Sequence, residues 1–315
     1  MKPTSEVSIV IVSWNVRLLL EACIDSILAT CSDLDYEIVV VDNASADGTG
    51  EMIRTRFPWV RLILNIDNVG FARANNQGFR EARGEYVFIL NPDTLLFPET
   101  LASLVGRLRE NRSLGMVGPK IITEDGTLQQ SCARRAHSMA SVLAVHGMWF
   151  DQLPIVGKFV KRALSHPYDF SKAQEVEAIS GAAMLVRGSV LREIGGFGEE
   201  FLHCGEDLAL CWALRQLGWR IEYVATTSLL HYGGASSKQA LGRTQVEAIL
   251  SDYLLLTRTH GRFAANIYKL MLQVLKAPVC YVKLVPMWID RAKRRAELQE
   301  QLQVISGLLR WRAPQ

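Results

Sequence analysis

The amino-acid sequence predicts an α/β protein with a doubly wound, mostly parallel sheet and a helical C-terminal extension. Short apolar, β-branched blocks alternate with helix-patterned segments from Val7 to Ile122. That alternation calls for parallel strands with right-handed crossovers. Polar clusters follow the ends of these blocks, where ligands bind in open α/β sheets. From Ala240 to Trp311 the pattern turns almost wholly helical, with breaks at Pro278 and Pro286.

Val7–Ser13 is the first strand block, and Asn15 then reads as the N-cap of a helix over Arg17–Ala29, with Leu18, Leu19, Ala22 and Ile27 on its apolar face. Tyr36–Val41 is the second strand, closed by Asp42-Asn43-Ala44-Ser45, and Asp47-Gly48-Thr49 opens a short helix toward Phe57. Arg61–Leu64 makes a third strand. Asn68-Val69-Gly70-Phe71 turns from it into a helix over Ala72–Ala82. Tyr86–Leu90, bounded by Gly84 and Pro92, is the fourth strand. Its apolar run reads as buried on both faces, and it delivers Asn91-Pro92-Asp93 to the sheet's mouth. Pro98–Asn111 follows as an amphipathic helix and Gly115–Ile122 as another strand, closed by the turn Glu124-Asp125-Gly126-Thr127.

The alternation stops there. Ser131–Ala173 mixes basic, aromatic and proline residues without a period, which predicts an insertion over the site. Val176–Val186 returns to strand-like sequence, with Gly181 marking a close backbone or ligand approach. Ser189–Ile194 is a short helix ended by Gly195-Gly196, Glu206–Leu217 a longer one ended at Gly218, and Arg220–Val224 and Leu229–Tyr232 the last strand segments. In the extension, Arg262, Lys269, Lys276 and Lys283 recur every seven residues along one face, and Arg291, Lys293, Arg294 and Arg295 follow. Such a helix pair fits either an anionic membrane face or a hairpin with a solvated basic edge. The expected organisation is a domain over 1–239, divided into halves over 1–122 and 123–239, with a basic extension over 240–315.

Composition sets limits on function. The chain has 315 residues, 49% of them hydrophobic and 21% charged, with a net charge of +3. A sizeable core is available, and the basic excess is too small to suggest a nucleic-acid binder. The six cysteines form no Cys-x-x-Cys pair and read as reduced, mostly buried thiols of a cytosolic protein. Met1 to Glu6 lack the features of a signal peptide, and no apolar run reaches the roughly 18 residues of a spanning helix. The sequence provides no specific base to activate the Cys204 thiol as a nucleophile. No Gly-rich basic loop of the kind that activates a triphosphate opens the chain, which disfavours a nucleotidyltransferase.

Four strand-end clusters, Ser13-Trp14-Asn15, Asp42 to Ser45, Asn68 to Phe71 and Asn91-Pro92-Asp93, describe one ligand site at the top of one sheet. Together with Asn68-Val69-Gly70-Phe71-Ala72-Arg73-Ala74-Asn75-Asn76-Gln77-Gly78, Ser180-Gly181-Ala182-Ala183-Met184, Gly195-Gly196-Phe197, Gly205-Glu206-Asp207 and His231-Tyr232-Gly233-Gly234, they carry a resemblance to family 2 glycosyltransferases of the GT-A (Rossmann-like) fold. The likeness runs from Val7 to Ser237 and, within the family, is to rhamnosyltransferase-like members.

That resemblance implies nucleotide-sugar binding for the half over 1–122, acceptor binding and catalysis for the half over 123–239, and roles for particular residues. Asp42 would accept from the imide N–H of a uracil or thymine ring, favouring a UDP- or dTDP-sugar. Ser13, Asn15, Asn43, Ser45, Asn68, Gly70, Arg73, Asn75, Asn91, Asp93, Gly181 and Glu206 would line the nucleotide-sugar site. Asp93 and His231 would hold a divalent cation, Mg²⁺ or Mn²⁺, with Asn91 standing where the family's metal motif has its first Asp. Asp207 would be the catalytic base of a single inverting displacement.

The implied activity is transfer of L-rhamnose from dTDP-rhamnose to a lipid-linked or polysaccharide acceptor in cell-surface glycan assembly. The enzyme would be cytoplasmic and peripheral on the inner face of the cell membrane. A UDP-sugar-dependent hexosyl, N-acetylhexosaminyl or galactofuranosyl transferase is the alternative on the same scaffold, and a non-catalytic nucleotide-sugar-binding protein is the alternative from another class.

Overall fold

The computed structural model describes residues 5–135, 168–201, 204–233 and 241–276, with side chains described for all of these except 241–247 and 275–276. The chain divides into two compact units. Among described residues, the first holds 5–135, 168–201 and 206–233, and the second holds 204–205 and 241–276.

The first unit is built on one sheet. Its strands are β1 (Ser5–Ser13), β2 (Tyr36–Asp42), β3 (Arg61–Leu64), β4 (Gly84–Leu90), β5 (Thr94–Leu96), β6 (Leu114–Ile122), β8 (Gln174–Glu175), β10 (Ala183–Arg187) and β11 (Arg220–His231). They lie in the order β3-β2-β1-β4-β10-β6-β11-β5, and β8 pairs with β11. The N-terminal half is parallel: β1 pairs with β2 and β4 in that sense, and β2 with β3. β10 then inserts antiparallel between β4 and β6, while β11 returns parallel to β6. Two short strands, β7 (Ala133–Arg134) and β9 (Ala178–Ile179), form a separate antiparallel pair.

Burial explains why these residues form strands. Val7 and Ile9 to Val12 in β1, Ile38 to Val41 in β2 and Tyr86 to Leu90 in β4 are all buried, as central strands covered on both faces require. The covering helices are α1 (Arg17–Thr30), α2 (Thr49–Arg56), α3 (Phe71–Glu81), α4 (Thr100–Glu110), α5 (Gly188–Ile194) and α6 (Glu206–Gln216). α3 lies so close to β1 that a Cβ on Gly78 would stand 2.4 Å from Val10 Cγ1, so only glycine fits at this crossing.

Several sequence expectations need correction. Asn15 does not cap α1: its backbone sits at φ 53°, and its Oδ1 accepts from the Ala46 N–H at 2.7 Å. The first N–H of α1, from Arg17, is instead satisfied by Asp47 Oδ2 at 2.8 Å, a cap supplied by the next strand's loop. The buried face of α1 is Leu20, Cys23, Ile24 and Ile27, while Leu18 is 69% exposed. The segment 176–186 is two strands interrupted at Gly181. Arg220 to His231 is one strand with a register shift between Val224 and Ser228. β5 has no counterpart in the sequence pattern, because three residues after a proline turn carry no periodicity.

In the second unit, α7 (Leu241–Met271) bends at Gly261 (φ 85°, ψ 164°), and a π-helical turn, Leu272–Lys276, continues it. After the bend Ala265, Tyr268 and Leu272 are buried, while Phe263, Ile267, Leu270 and Val274 form an exposed apolar stripe. Pro278, Pro286, Lys283, the Arg291–Arg295 cluster, Cys280 and residues 136–167 of the expected insertion lie outside the described residues.

Candidate active site

The first part of the site is a set of interlocked turns at the carboxyl ends of β1, β2 and β3. Ser13 and Asp42 are register partners, and the Asn43 N–H donates to Ser13 O at 2.8 Å. Asp42 is 4% exposed, and its Oδ1 accepts from the Ser45 N–H at 3.0 Å. Ser45 Oγ accepts from the Asn15 N–H at 2.9 Å, which ties the first and second turns together. Asn43 carries the third: its Oδ1 accepts from Asn65 Nδ2 and the Val69 N–H, both at 3.0 Å, and its Nδ2 donates to Asn68 Oδ1 at 2.7 Å. Asn68 Oδ1 also accepts from the Gly70 N–H at 3.0 Å. Gly70, at φ 87° and ψ 163°, has backbone that only glycine adopts readily, and it leads into α3. Asn15 and Ala44 hold positive φ without being glycine, a strain that persists only where the surroundings over-determine it.

Two sequence-singled residues have structural partners. Arg73 pairs with Glu199 at 3.2 Å and is 60% exposed. Asn75 is buried in α3, donating to Phe71 O at 3.0 Å, while its Oδ1 and Ser13 Oγ are buried without hydrogen-bond partners.

The second part stands at the ends of β4 and β11. β5 pairs antiparallel with β11, placing His231 opposite Thr94, and the Tyr232 N–H donates to Asp93 O at 3.0 Å. This edge pairing brings together two residues 138 positions apart in sequence. His231 Nε2 lies 3.2 Å from Asp93 Oδ1 and 3.4 Å from Asn91 Nδ2. Both Asp93 and His231 are almost completely buried. An oxygen and an imidazole nitrogen 3.2 Å apart fit two adjacent ligands of one divalent cation, since bonds of about 2.1 Å at near-right angles give about 3.0 Å. No cluster of three His, Cys, Asp or Glu side chains occurs among the described residues. The pair therefore suits a cation whose remaining positions go to substrate phosphate oxygens and water, a common arrangement for Mg²⁺.

The third part is Asp207 in the first turn of α6. Its Oδ2 accepts from the Gly181 N–H at 3.0 Å and from Arg134 Nη2 on β7, and its Oδ1 accepts from the Leu208 N–H at 2.8 Å. A Cβ on Gly181 would meet Asp207 Cβ at 3.3 Å, so the break between β9 and β10 is where the strand edge approaches the carboxylate. The adjacent Ala182 O accepts from the Asn91 N–H at 2.9 Å, linking this part to the cation pair. Glu206 is buried, its Oε2 has no partner, and burial together with the Asp207 charge pushes its carboxyl up to about 8. Arg134 belongs to the aperiodic stretch 131–173, and nothing local in the sequence marks an arginine 73 positions away as the partner of Asp207. Burial pushes the thiols of Cys23 and Cys211 up to about 12, so these two are inert packing groups.

This mixed sheet, with helices packed on it and polar turns at its strand ends, has the GT-A fold. Two solved structures share the fold. A mannosyltransferase from Pyrobaculum calidifontis, in complex with GDP-Man and Mn²⁺, aligns with a TM-score of 0.54 at 18% identity over 98% of this chain and 87% of that one. S. aureus TarS 1–349 aligns with a TM-score of 0.51 at 16% identity over 96% and 89%.

The family model for glycosyl transferase family 2 matches residues 8–195, and the chain belongs to that family. A relative in Mycobacterium tuberculosis, N-acetylglucosaminyl-diphospho-decaprenol L-rhamnosyltransferase, is 26% identical over 247 residues, covering 74% of this chain and 78% of that protein. The O-antigen biosynthesis protein RfbC of Myxococcus xanthus is 28% identical over 244 residues, 76% of this chain but 18% of its own length. The chain is thus a rhamnosyltransferase-like glycosyltransferase.

Proposed function

We propose that the protein transfers L-rhamnose from dTDP-rhamnose to a lipid-linked or polysaccharide acceptor, with inversion, in cell-surface glycan assembly. The observation that carries the mechanism is the placement of Asp207. Arg134, Gly181 N–H and Leu208 N–H fix its carboxylate at the start of α6, one residue's backbone away from the strand that meets Asn91.

In this reading Asp42 accepts from the imide of the thymine ring, and the turns held by Asn43 and Asn68 shape the nucleotide pocket. Asp207 takes the proton from the acceptor hydroxyl as that oxygen attacks the anomeric carbon. Asp93 and His231 hold Mg²⁺ or Mn²⁺, which when bound offsets negative charge on the departing diphosphate. Prior positioning of donor and acceptor by the turns and by Gly181 supplies the rest of the advantage. Rhamnose as the sugar and a prenyl-diphosphate-linked acceptor are supported by the mycobacterial relative's name. A UDP-sugar-dependent N-acetylhexosaminyl transferase is the second reading; its sugar, though not its donor nucleotide, is supported by the name of a 26% identical relative over 206 residues, the poly-β-1,6-N-acetyl-D-glucosamine synthase of Staphylococcus epidermidis. The test is Asp207→Asn: turnover falls by at least about 10²-fold while dTDP affinity stays within about twofold. Unchanged turnover would remove Asp207 from the mechanism.

The domain reading places donor and acceptor binding in 1–239 and membrane-surface contact in 240–315. Among described residues no helix is long and apolar enough to cross a membrane. The exposed stripe Phe263, Ile267, Leu270 and Val274, flanked by exposed Arg262, suits a helix lying in the interface of an anionic membrane. This supports a peripheral enzyme on the inner face of the cell membrane. In a flotation assay with anionic vesicles, Phe263→Ser with Leu270→Ser should bind several-fold more weakly than wild type, and equal binding would overturn the reading.

A further inference from the structure

We infer that Gln129 is a positioning residue that sets the tautomer of His231 and so makes it a cation ligand. The inference rests on the proposed cation site and extends it to a residue outside the ligand pair.

Gln129 is held by its surroundings. The chain turns through 123–127 with Thr123 N–H donating to Thr127 O at 2.9 Å, Ile122 bridges Leu128, and the Gln129 N–H donates to Ile121 O at 2.9 Å. Because β6 runs beside β11 with Ile122 opposite Leu230, this anchoring sets Gln129 next to His231. Its Oε1 lies 2.8 Å from His231 Nδ1, and its Nε2 donates to Ser131 Oγ at 2.8 Å.

With the amide turned this way, Oε1 can only accept, so Nδ1 carries a hydrogen, and in the neutral ring Nε2 then presents its lone pair. That lone pair faces Asp93 Oδ1 at 3.2 Å, with Asn91 Nδ2 as a long donor at 3.4 Å. Two acceptors facing each other in a nearly dry pocket repel unless a cation lies between them. In the opposite tautomer Nε2–H would donate to Asp93, and the ring's lone pair, now on Nδ1, would face Gln129 Oε1 and not the cation position. Gln129 therefore selects between an ion-pair-like hydrogen bond and a cation site. It also compensates for Asn91, whose amide brings no negative charge, by keeping the second ligand available.

The test is Mn²⁺ binding to the full-length protein in the presence of dTDP, read as free Mn²⁺ by electron paramagnetic resonance. Gln129→Leu, which cannot accept from Nδ1–H, should weaken Mn²⁺ binding by roughly 10–100-fold and leave dTDP binding without metal unchanged. Gln129→Glu, which can only accept, should stay within about threefold of wild type, which separates loss of the acceptor from loss of folding. Wild-type Mn²⁺ affinity in the Leu variant, or an equal loss in the Glu variant, would overturn the role of Gln129 while leaving the cation site standing. Absence of Mn²⁺ binding by the wild type would overturn the cation site itself.

Discussion

Asn76, on the inner face of α3, clamps a chain segment 121 residues away. Its Oδ1 accepts from the Phe197 N–H at 2.8 Å, and its Nδ2 donates to Phe197 O at 2.9 Å and to Glu199 Oε1 at 3.1 Å. The fit is close, because a Cβ on Gly196 (φ +88°) would stand 2.3 Å from Asn76 Oδ1. Replacing Asn76 by leucine keeps the size and strands the buried N–H and C=O of Phe197. An unsatisfied buried group costs about 1–3 kcal/mol, so the pair should cost roughly 2–6 kcal/mol. The partly exposed Glu199 contact adds little. Urea unfolding should show that loss with an unchanged m-value.

Asn76→Asp refines the test. It keeps the acceptor for Phe197 N–H but turns a second oxygen toward Phe197 O and Glu199. Burial and the neighbouring carboxylate would raise the new aspartate's folded-state pKa, so its stability should fall as pH rises above the ordinary carboxylate range and recover on acidification. Glu199→Gln in that background should recover part of the loss. A leucine variant within about 0.5 kcal/mol of wild type, or an aspartate variant indifferent to pH, would refute the reasoning.

The remaining predictions concern the site. Glu206 has a folded-state pKa raised from 4.5 to about 8, so the folded protein binds the extra proton across that window and stability falls as pH rises through it. Glu206→Gln should therefore gain on the wild type progressively between about pH 5 and pH 8 in denaturant titrations, and a pH-independent difference would contradict the burial argument. Gly181→Ala places a methyl group 3.3 Å from Asp207 Cβ. Turnover should drop at least about tenfold through displacement of the carboxylate, with dTDP affinity and thermal midpoint nearly unchanged. Gly78→Ala drives a Cβ to 2.4 Å from Val10 Cγ1 and should cost about 1–3 kcal/mol in unfolding titrations, without a specific effect on KM.

How much of this was legible in the sequence depended on whether the signal was local. β1, β2, β3 and β4 were readable because buried parallel strands are continuous apolar runs, as in Ile9 to Val12 and Tyr86 to Leu90. The turns after them were readable because Asp, Asn and Gly concentrate there for hydrogen-bonding and backbone reasons. What the sequence hid was pairing at a distance. β5 is three residues long, yet its antiparallel pairing with β11 brings His231 to Asp93. Arg134 lies in a stretch without periodicity and Gln129 just before it, and their partners Asp207 and His231 come from α6 and the end of β11. The cap of α1 is hidden for the same reason: Asn15 is the nearer residue, but Asp47 from the following loop performs the task.

The central claim is that Asp207, Asp93 and His231 serve transfer of a sugar from a dTDP donor. Its most direct test is release of nucleoside diphosphate by the full-length protein across dTDP-, UDP-, GDP- and CMP-sugars, with prenyl-diphosphate-linked N-acetylglucosamine as acceptor, with and without chelator. Release confined to dTDP-rhamnose, abolished by chelator and by Asp207→Asn, is the predicted result. Release from UDP-sugars alone, or release indifferent to both chelator and Asp207→Asn, would contradict it.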